Sequence, residues 1–219
     1  MHSMRANRGF TLLEIIIAVA IVAIMAVAIA PPLIKNLNEG KAARAQSDAK
    51  VIGNAVLSFY KDTGRWPLQN DADAANDLTR LASNASLGGG NSGIPGGASG
   101  VSGSGNWDSW GQVSTLTDQL VSNSSGAIDP LYTESKNPHS KPGWNGPYLD
   151  SVPLDPWGNP FVVNVRFVNS GISNYERHNV MVISAGPNGV FDTPFHDQTF
   201  DEVVGGDDIG YVIRSAEPE

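Results

Sequence analysis

The sequence predicts an α+β protein. One long N-terminal helix, transmembrane in its first half and amphipathic in its second, packs on a small antiparallel sheet. Three observations carry this expectation. An apolar run of 25 residues, 10–34, follows Arg5 and Arg8 near the start of the chain. An apolar stripe at helical spacing continues beyond it to about Asp62. Two β-rich runs, 161–168 and 180–184, stand near the C-terminus with turn residues between them.

The apolar run comes first. A helix needs roughly 20 apolar residues to span a bilayer core. Residues 10–34 supply about 37 Å of helix at 1.5 Å per residue. A secretory signal peptide would read the same segment with Arg5 and Arg8 as its basic head and Ala28-Ile29-Ala30 as its cleavage site. The run exceeds the usual signal core of about 7–15 residues. Pro31 would obstruct cleavage after Ala30, and Glu14 has no purpose in a segment to be discarded. A carboxylate inside a membrane-length segment is unfavourable without a partner. If the chain were cut between Gly9 and Phe10, the new ammonium group would stand four residues before Glu14. That pairs a cation with an anion at one membrane depth, most simply on neighbouring copies. Charge does not fix orientation, because Lys35, Lys41 and Arg44 follow the run as Arg5 and Arg8 precede it.

Beyond the run, Ala45, Ala49, Ile52, Val56, Phe59 and Tyr60 recur at intervals of three and four. Arg44, Gln46, Asp48, Lys50, Asn54 and Lys61 form the solvated face. Gly64 is the expected C-cap, and Pro67 prevents the helix from resuming. Pro31-Pro32 is expected to kink or open this one long helix, as a bend at the membrane exit or as local melting on assembly with other copies, since proline removes a backbone donor.

The globular part is rich in loop, consistent with 24 glycines and 14 prolines in 219 residues. Nine of the eighteen residues 88–105 are glycine, so 83–105 reads as a flexible surface loop. Leu78, Leu81, Val113, Leu116, Leu120 and Val121 suggest short helical pieces beside it. Asp155-Pro156-Trp157-Gly158-Asn159-Pro160 has the chemistry of tight turns. Runs 161–168, 180–184 and 209–213 read as strands.

Function classes narrow by exclusion. A net charge of −8 argues against a nucleic-acid partner. The absence of cysteine removes disulfides and thiol chemistry. His2, His139, His178 and His196 are scattered, and neither H-E-x-x-H nor G-x-S-x-G occurs, so no enzyme is expected. The oxygen donors Asn188, Asp192, Asp197, Asp201, Glu202, Asp207 and Asp208 crowd into 21 positions. Such a loop suits calcium, which takes about 6–8 oxygens. It also reads as a plain solvated acidic loop.

Arg8-Gly9-Phe10-Thr11-Leu12-Leu13-Glu14 resembles the processed leader of type IV pilins and pseudopilins. Phe59–Pro67, the turn 155–160, and Ser184-Ala185-Gly186-Pro187-Asn188-Gly189 with Asp207-Asp208-Ile209 resemble the major pseudopilin of type II secretion. The resemblance implies a cleaved leader 1–9, a transmembrane and filament-core helix 10–34, an amphipathic helix 35–64 and a periplasmic domain 65–219 with a calcium-type loop 184–209. It implies cleavage between Gly9 and Phe10, N-methylation of Phe10, and assembly through Phe10, Glu14 and Pro31. Calcium would be held by the carbonyls of Ala185 and Val190 and the side chains of Asn188, Asp207 and Asp208. The family favours Asp at Asn188, and 191–206 is longer than usual, so Asp192 and Asp201 are further candidates. Implied partners are other copies of the chain, prepilin peptidase, other pseudopilins and the inner-membrane assembly platform. Implied location is the bacterial inner membrane, single-pass, and a periplasmic filament after assembly. Two other readings stand beside this one. They are a type IV pilin or minor pseudopilin, and an exported binding module or hydrolase behind a signal peptide.

Overall fold

The computed structural model describes residues 10–69, 78–83, 93–99, 106–109, 111–126, 128–135, 142–171, 177–196 and 204–216. Gly9, Asp201 and the leader cleavage site therefore lie outside the described residues. Two compact units divide the chain, residues 1–41 and 42–219.

The first unit carries the apolar half of helix α1, Leu12–Thr63. Its large apolar side chains, from Phe10 through Leu37, are exposed. By length and composition α1 can cross a membrane. The helix is unbroken, as the single long helix read from the sequence requires, and both Pro31 and Pro32 sit within it. Two missing donors weaken a helix without ending it when the flanking turns are strong helix formers.

In the second unit five of the six stripe residues read from the sequence, Ala45, Ala49, Ile52, Val56 and Phe59, are almost wholly covered, and Ala55 joins them. Tyr60 does not: it is exposed and stacks on Trp66. Gly53 permits the closest approach. A Cβ there would fall 2.4 Å from a ring carbon of Tyr211. Gln46 Nε2 also donates to the Gly210 carbonyl at 3.0 Å. The helix ends as expected, with Gly64 at φ 68° donating its N–H to the Tyr60 carbonyl.

The sheet has five strands in the order β2-β1-β3-β4-β5. They are β1 Leu78–Ala82, β2 Gln112–Thr115, β3 Val162–Val163, β4 Val180–Ser184 and β5 Ile209–Arg214. Three pairings are antiparallel, whereas β1 and β2 run parallel, so the sheet is mixed rather than wholly antiparallel. Leu78 and Leu81 belong to a strand, as does Val113, and not to short helices. Leu116, Leu120 and Val121 do lie in helical backbone. All five β1 residues are buried, so the strand shows no alternation.

The run 161–168 is a strand only at Val162–Val163 and then tightens into a 3₁₀ turn, Val165–Val168. Asn164 causes the break. Fully buried, its side chain donates to the Asn179 and Phe195 carbonyls and accepts the Met181 N–H, replacing ladder bonds with its own.

The glycine-rich segment is partly anchored. Within it Ile94 is buried, and Gly97 bridges to Phe191. The Ala98 N–H donates to the Phe191 carbonyl at 2.8 Å, and the Phe191 N–H to the Gly96 carbonyl at 2.9 Å. Just beyond, Trp107 is fully buried between Phe191 and Phe195 and donates through Nε1 to the Thr193 carbonyl. Buried Arg80 of β1 donates to the carbonyls of Trp107 and Gly111. Burial pulls the Arg80 guanidinium down to about 10, against the charge of Asp108. Residues 93–99 are thus loop, as read from the sequence, but a loop tied to residue 191 and anchored by Ile94.

Candidate functional site

Two sites stand at opposite ends of the chain. At the first, Thr11 and Glu14 form a reciprocal capping box. The Thr11 N–H and hydroxyl both stand 3.0 Å from Glu14 Oε2, and the Glu14 N–H donates to Thr11 Oγ1 at 3.2 Å. The spacing T-x-x-E is visible in the sequence, yet there the acid reads only as a partner for another copy. All three bonds are exposed and purely local. Phe10 is exposed beside them. The carboxylate thus has hydrogen-bond donors but no counter-charge in its own cap.

The second site is the C-terminal loop, and the turn at 155–160 braces it. Asp155 Oδ1 accepts the N–H groups of Trp157 and Asn159, while Oδ2 accepts the Ser184 hydroxyl at 2.6 Å. Ser184 Oγ in turn accepts the Gly186 N–H, and Asn159 Nδ2 reaches the Gly186 carbonyl. Trp157 packs half-buried against the core.

Two glycines let the arms of the loop meet. A Cβ on Gly186 would fall 2.1 Å from the Asp207 carbonyl oxygen, and one on Gly206 would fall 2.0 Å from Asp192 Oδ2. Both glycines have positive φ, so other residues are strained there as well as obstructed. At the meeting point the Asn188 amide donates to the carboxylates of Asp192 and Asp207, and the Asn188 N–H donates to Asp207 Oδ2. Asn188 Oδ1 accepts the Val190 N–H. Asp208 turns inward and accepts the N–H groups of Asp192 and Thr193 at 2.9 and 2.7 Å. Its other oxygen, Oδ1, is buried without a hydrogen-bond partner. Burial pushes the Asp208 carboxyl up to about 6; the Thr193 and Asp192 donors oppose the rise and the Asp192 charge adds to it.

The structure therefore brings Asn188, Asp192, Asp207 and Asp208 together. Ala185 is fully buried at one side of the turn and Val190 half-buried at the other. Among the described residues no three acidic, histidine or cysteine side chains converge as a ready-made metal cluster. Fit to a hard cation rests instead on the donor set: two carboxylates meeting at one amide, and an orphaned carboxylate oxygen beside them. His196 belongs to a different cluster, packed with Phe167, Phe195 and His178. Burial lowers its pKa, as do the charges of His178 and Arg166.

Comparison with known proteins matches both ends. The profile of the prokaryotic N-terminal methylation motif fits residues 4–30, and that of type II secretion system protein G fits 121–199. A profile of the PilW C-terminal region fits 36–89. None of the three describes an enzyme domain. The chain is 24% identical over 193 residues to type II secretion system core protein G of Escherichia coli (strain K12), covering 88% of this chain and 90% of that protein. Core protein G of Vibrio cholerae is 23% identical over 161 residues, 74% of this chain and 73% of that protein. The type IV major pilin protein PilA of Myxococcus xanthus is 36% identical over 72 residues, which span 33% of this chain and 30% of the pilin. No solved structure gives a significant match. With a methylation motif on a membrane-length helix at one end and a match to type II secretion system protein G over 121–199, the chain is similar to the major pseudopilins of type II secretion.

Proposed function

We propose that this pseudopilin subunit is cut between Gly9 and Phe10 by prepilin peptidase, methylated on Phe10, and polymerised into a periplasmic filament. It would start as a single-pass inner-membrane protein and be drawn out by the assembly platform together with other pseudopilins. The filament would then drive exported proteins across the outer membrane. The observation that carries this reading is the state of Glu14. Its cap leaves the carboxylate exposed, with no counter-charge in hydrogen-bond or salt-bridge contact among the described residues, four residues from the new amino terminus. In a filament core that charge must be paired. The Phe10 ammonium of an adjacent copy supplies the pairing and sets the axial register.

The test is direct. Glu14→Ala leaves the protein in the membrane but yields no sheared filaments, while the wild-type chain yields them and its amino terminus has the mass of methylated Phe10. Normal filaments from Glu14→Ala sink the register role. A mature chain beginning at Pro31 sinks the pseudopilin reading in favour of an exported binding module or hydrolase. The pilin similarity over 72 residues supports a type IV pilus subunit or minor pseudopilin as the second reading. Loss of secretion with intact pili in a deletion strain separates the two.

We further propose calcium as the ion of the C-terminal loop. Asn188, Asp207 and Asp208, with the carbonyls of Ala185 and Val190, would hold it, and Asp192 is the added oxygen donor. The ion would neutralise carboxylates that the two arms bring together and lock the arms to each other. Rotation of the Asn188 amide would present its oxygen in place of its NH₂ group.

A further inference from the structure

A second charged pair on α1 repeats the spacing of the first. Lys35 Nζ lies 3.7 Å from Glu39 Oε1, cation four residues before anion, as the mature Phe10 amino group would stand before Glu14. Both side chains are open to solvent, at 77% and 63%. A pair so exposed contributes little within one chain. Its position is informative. It borders the apolar run immediately, and Glu39 follows Glu14 by 25 residues, about seven helical turns. The face that offers Glu14 to a neighbour thus also offers Glu39.

Stagger supplies the partner. If the Phe10 ammonium of one copy is level with Glu14 of the next, parallel helices are displaced by four residues, about 6 Å. The same displacement sets Lys35 of the first copy level with Glu39 of the second. The level holds whatever happens at Pro31-Pro32, because one shift applies to every helical stretch, while the shared face rests on the unbroken helix Leu12–Thr63. Burial of the apolar run strips water from charges at its border, where attraction strengthens and an unpaired charge is penalised.

We propose that Lys35 and Glu39 are a second register pin between copies of this chain. On assembly, Glu39 of each copy takes Lys35 of the neighbour displaced by four residues, and the internal pairs join into a ladder of alternating charge. The inference rests on the filament reading above. Arg44 and Asp48 share the four-residue interval, but they lie about two and a half turns further on, on the opposite side of the helix, with Asp48 half-buried on the domain. That pair stays internal.

A charge-reversal mixture tests the proposal in the full-length chain produced with its secretion machinery. Lys35→Glu alone and Glu39→Lys alone each reduce sheared filament several-fold at unchanged membrane levels. Co-production of the two variants restores the yield, because the carboxylate introduced at position 35 of one copy then meets the ammonium introduced at position 39 of the other. Repulsion within each helix persists in the mixture, so rescue reports only contacts between copies. Wild-type yield from either variant alone, or a mixture no better than its components, overturns the proposal. Absence of filaments from the wild-type chain overturns the filament reading itself, a result that the same experiment shows separately.

Discussion

The two ends of this chain hold their acids in opposite ways. Glu14 is held by one residue three positions away, in full exposure. Asp208 is held by the Asp192 and Thr193 amides from a loop arm 15 and 16 residues earlier in the chain, and it is nearly buried. In the proposed reading the first site is completed by another copy, whereas the contacts of the second lie within one molecule. Substitutions at the first should therefore act on assembly and those at the second on folding.

The largest effect should come from separating the cap from the charge. Glu14→Gln keeps an acceptor for Thr11 and loses the charge, so filaments should vanish as completely as with Glu14→Ala. Thr11→Ala removes the cap and keeps the charge, costing about 1 kcal/mol of helix-end stability and leaving filament yield near wild type. Equal loss from both would erase the contrast between the two ends.

Next is Trp107→Ala. It removes a fully buried indole and its bond to Thr193. A loss of about 3–5 kcal/mol is expected in denaturant unfolding of the domain. Membrane insertion of the helix should be unaffected, as judged by fractionation.

Calcium removal should act on the same end more mildly. EGTA should lower the domain's thermal midpoint, and Asn188→Asp should deepen that dependence by adding a charge to the site. No shift with EGTA removes the metal proposal.

The smallest effect concerns pH. Folding raises the Asp208 pKa from 3.8 to about 6, so the folded state holds the proton more tightly than the unfolded state. The stability linked to this proton is full below the unfolded value and is lost as pH rises towards about 6. In EGTA the midpoint should therefore fall across that window. Saturating calcium, which favours the carboxylate, should flatten or reverse the slope.

Sequence alone made some of this legible. The buried stripe of α1 follows from periodicity and its Gly64 cap from a turn residue, while β4 and β5 follow from their Val- and Ile-rich runs between turn residues. Strand β1 did not. Both its faces are covered, and Arg80 reads as a surface residue until the carbonyls of Trp107 and Gly111 are seen to receive it. Asn164 is invisible as a strand breaker, since the carbonyls that its side chain satisfies belong to residues 179 and 195. At the sites, the spacing of Glu14 and the crowding of acids were readable. The capping box went unread, although its T-x-x-E pattern stands in the sequence at Thr11 and Glu14. Which acids face each other was not readable, because glycines 186 and 206 decide how closely the two arms approach.

The tie between Trp107 and Thr193 spans 86 positions. Its consequence is one of order in time. A contact needs both of its residues, and closing a long loop costs entropy before the contact repays it. Residues 93–99 and Trp107 therefore cannot take up these partners until Phe191 and Thr193 have been synthesised. A chain truncated before Phe191 would lose more than its acidic loop. It would also leave 93–99 and Trp107 without their partners, and so offer proteases a site far upstream of the cut.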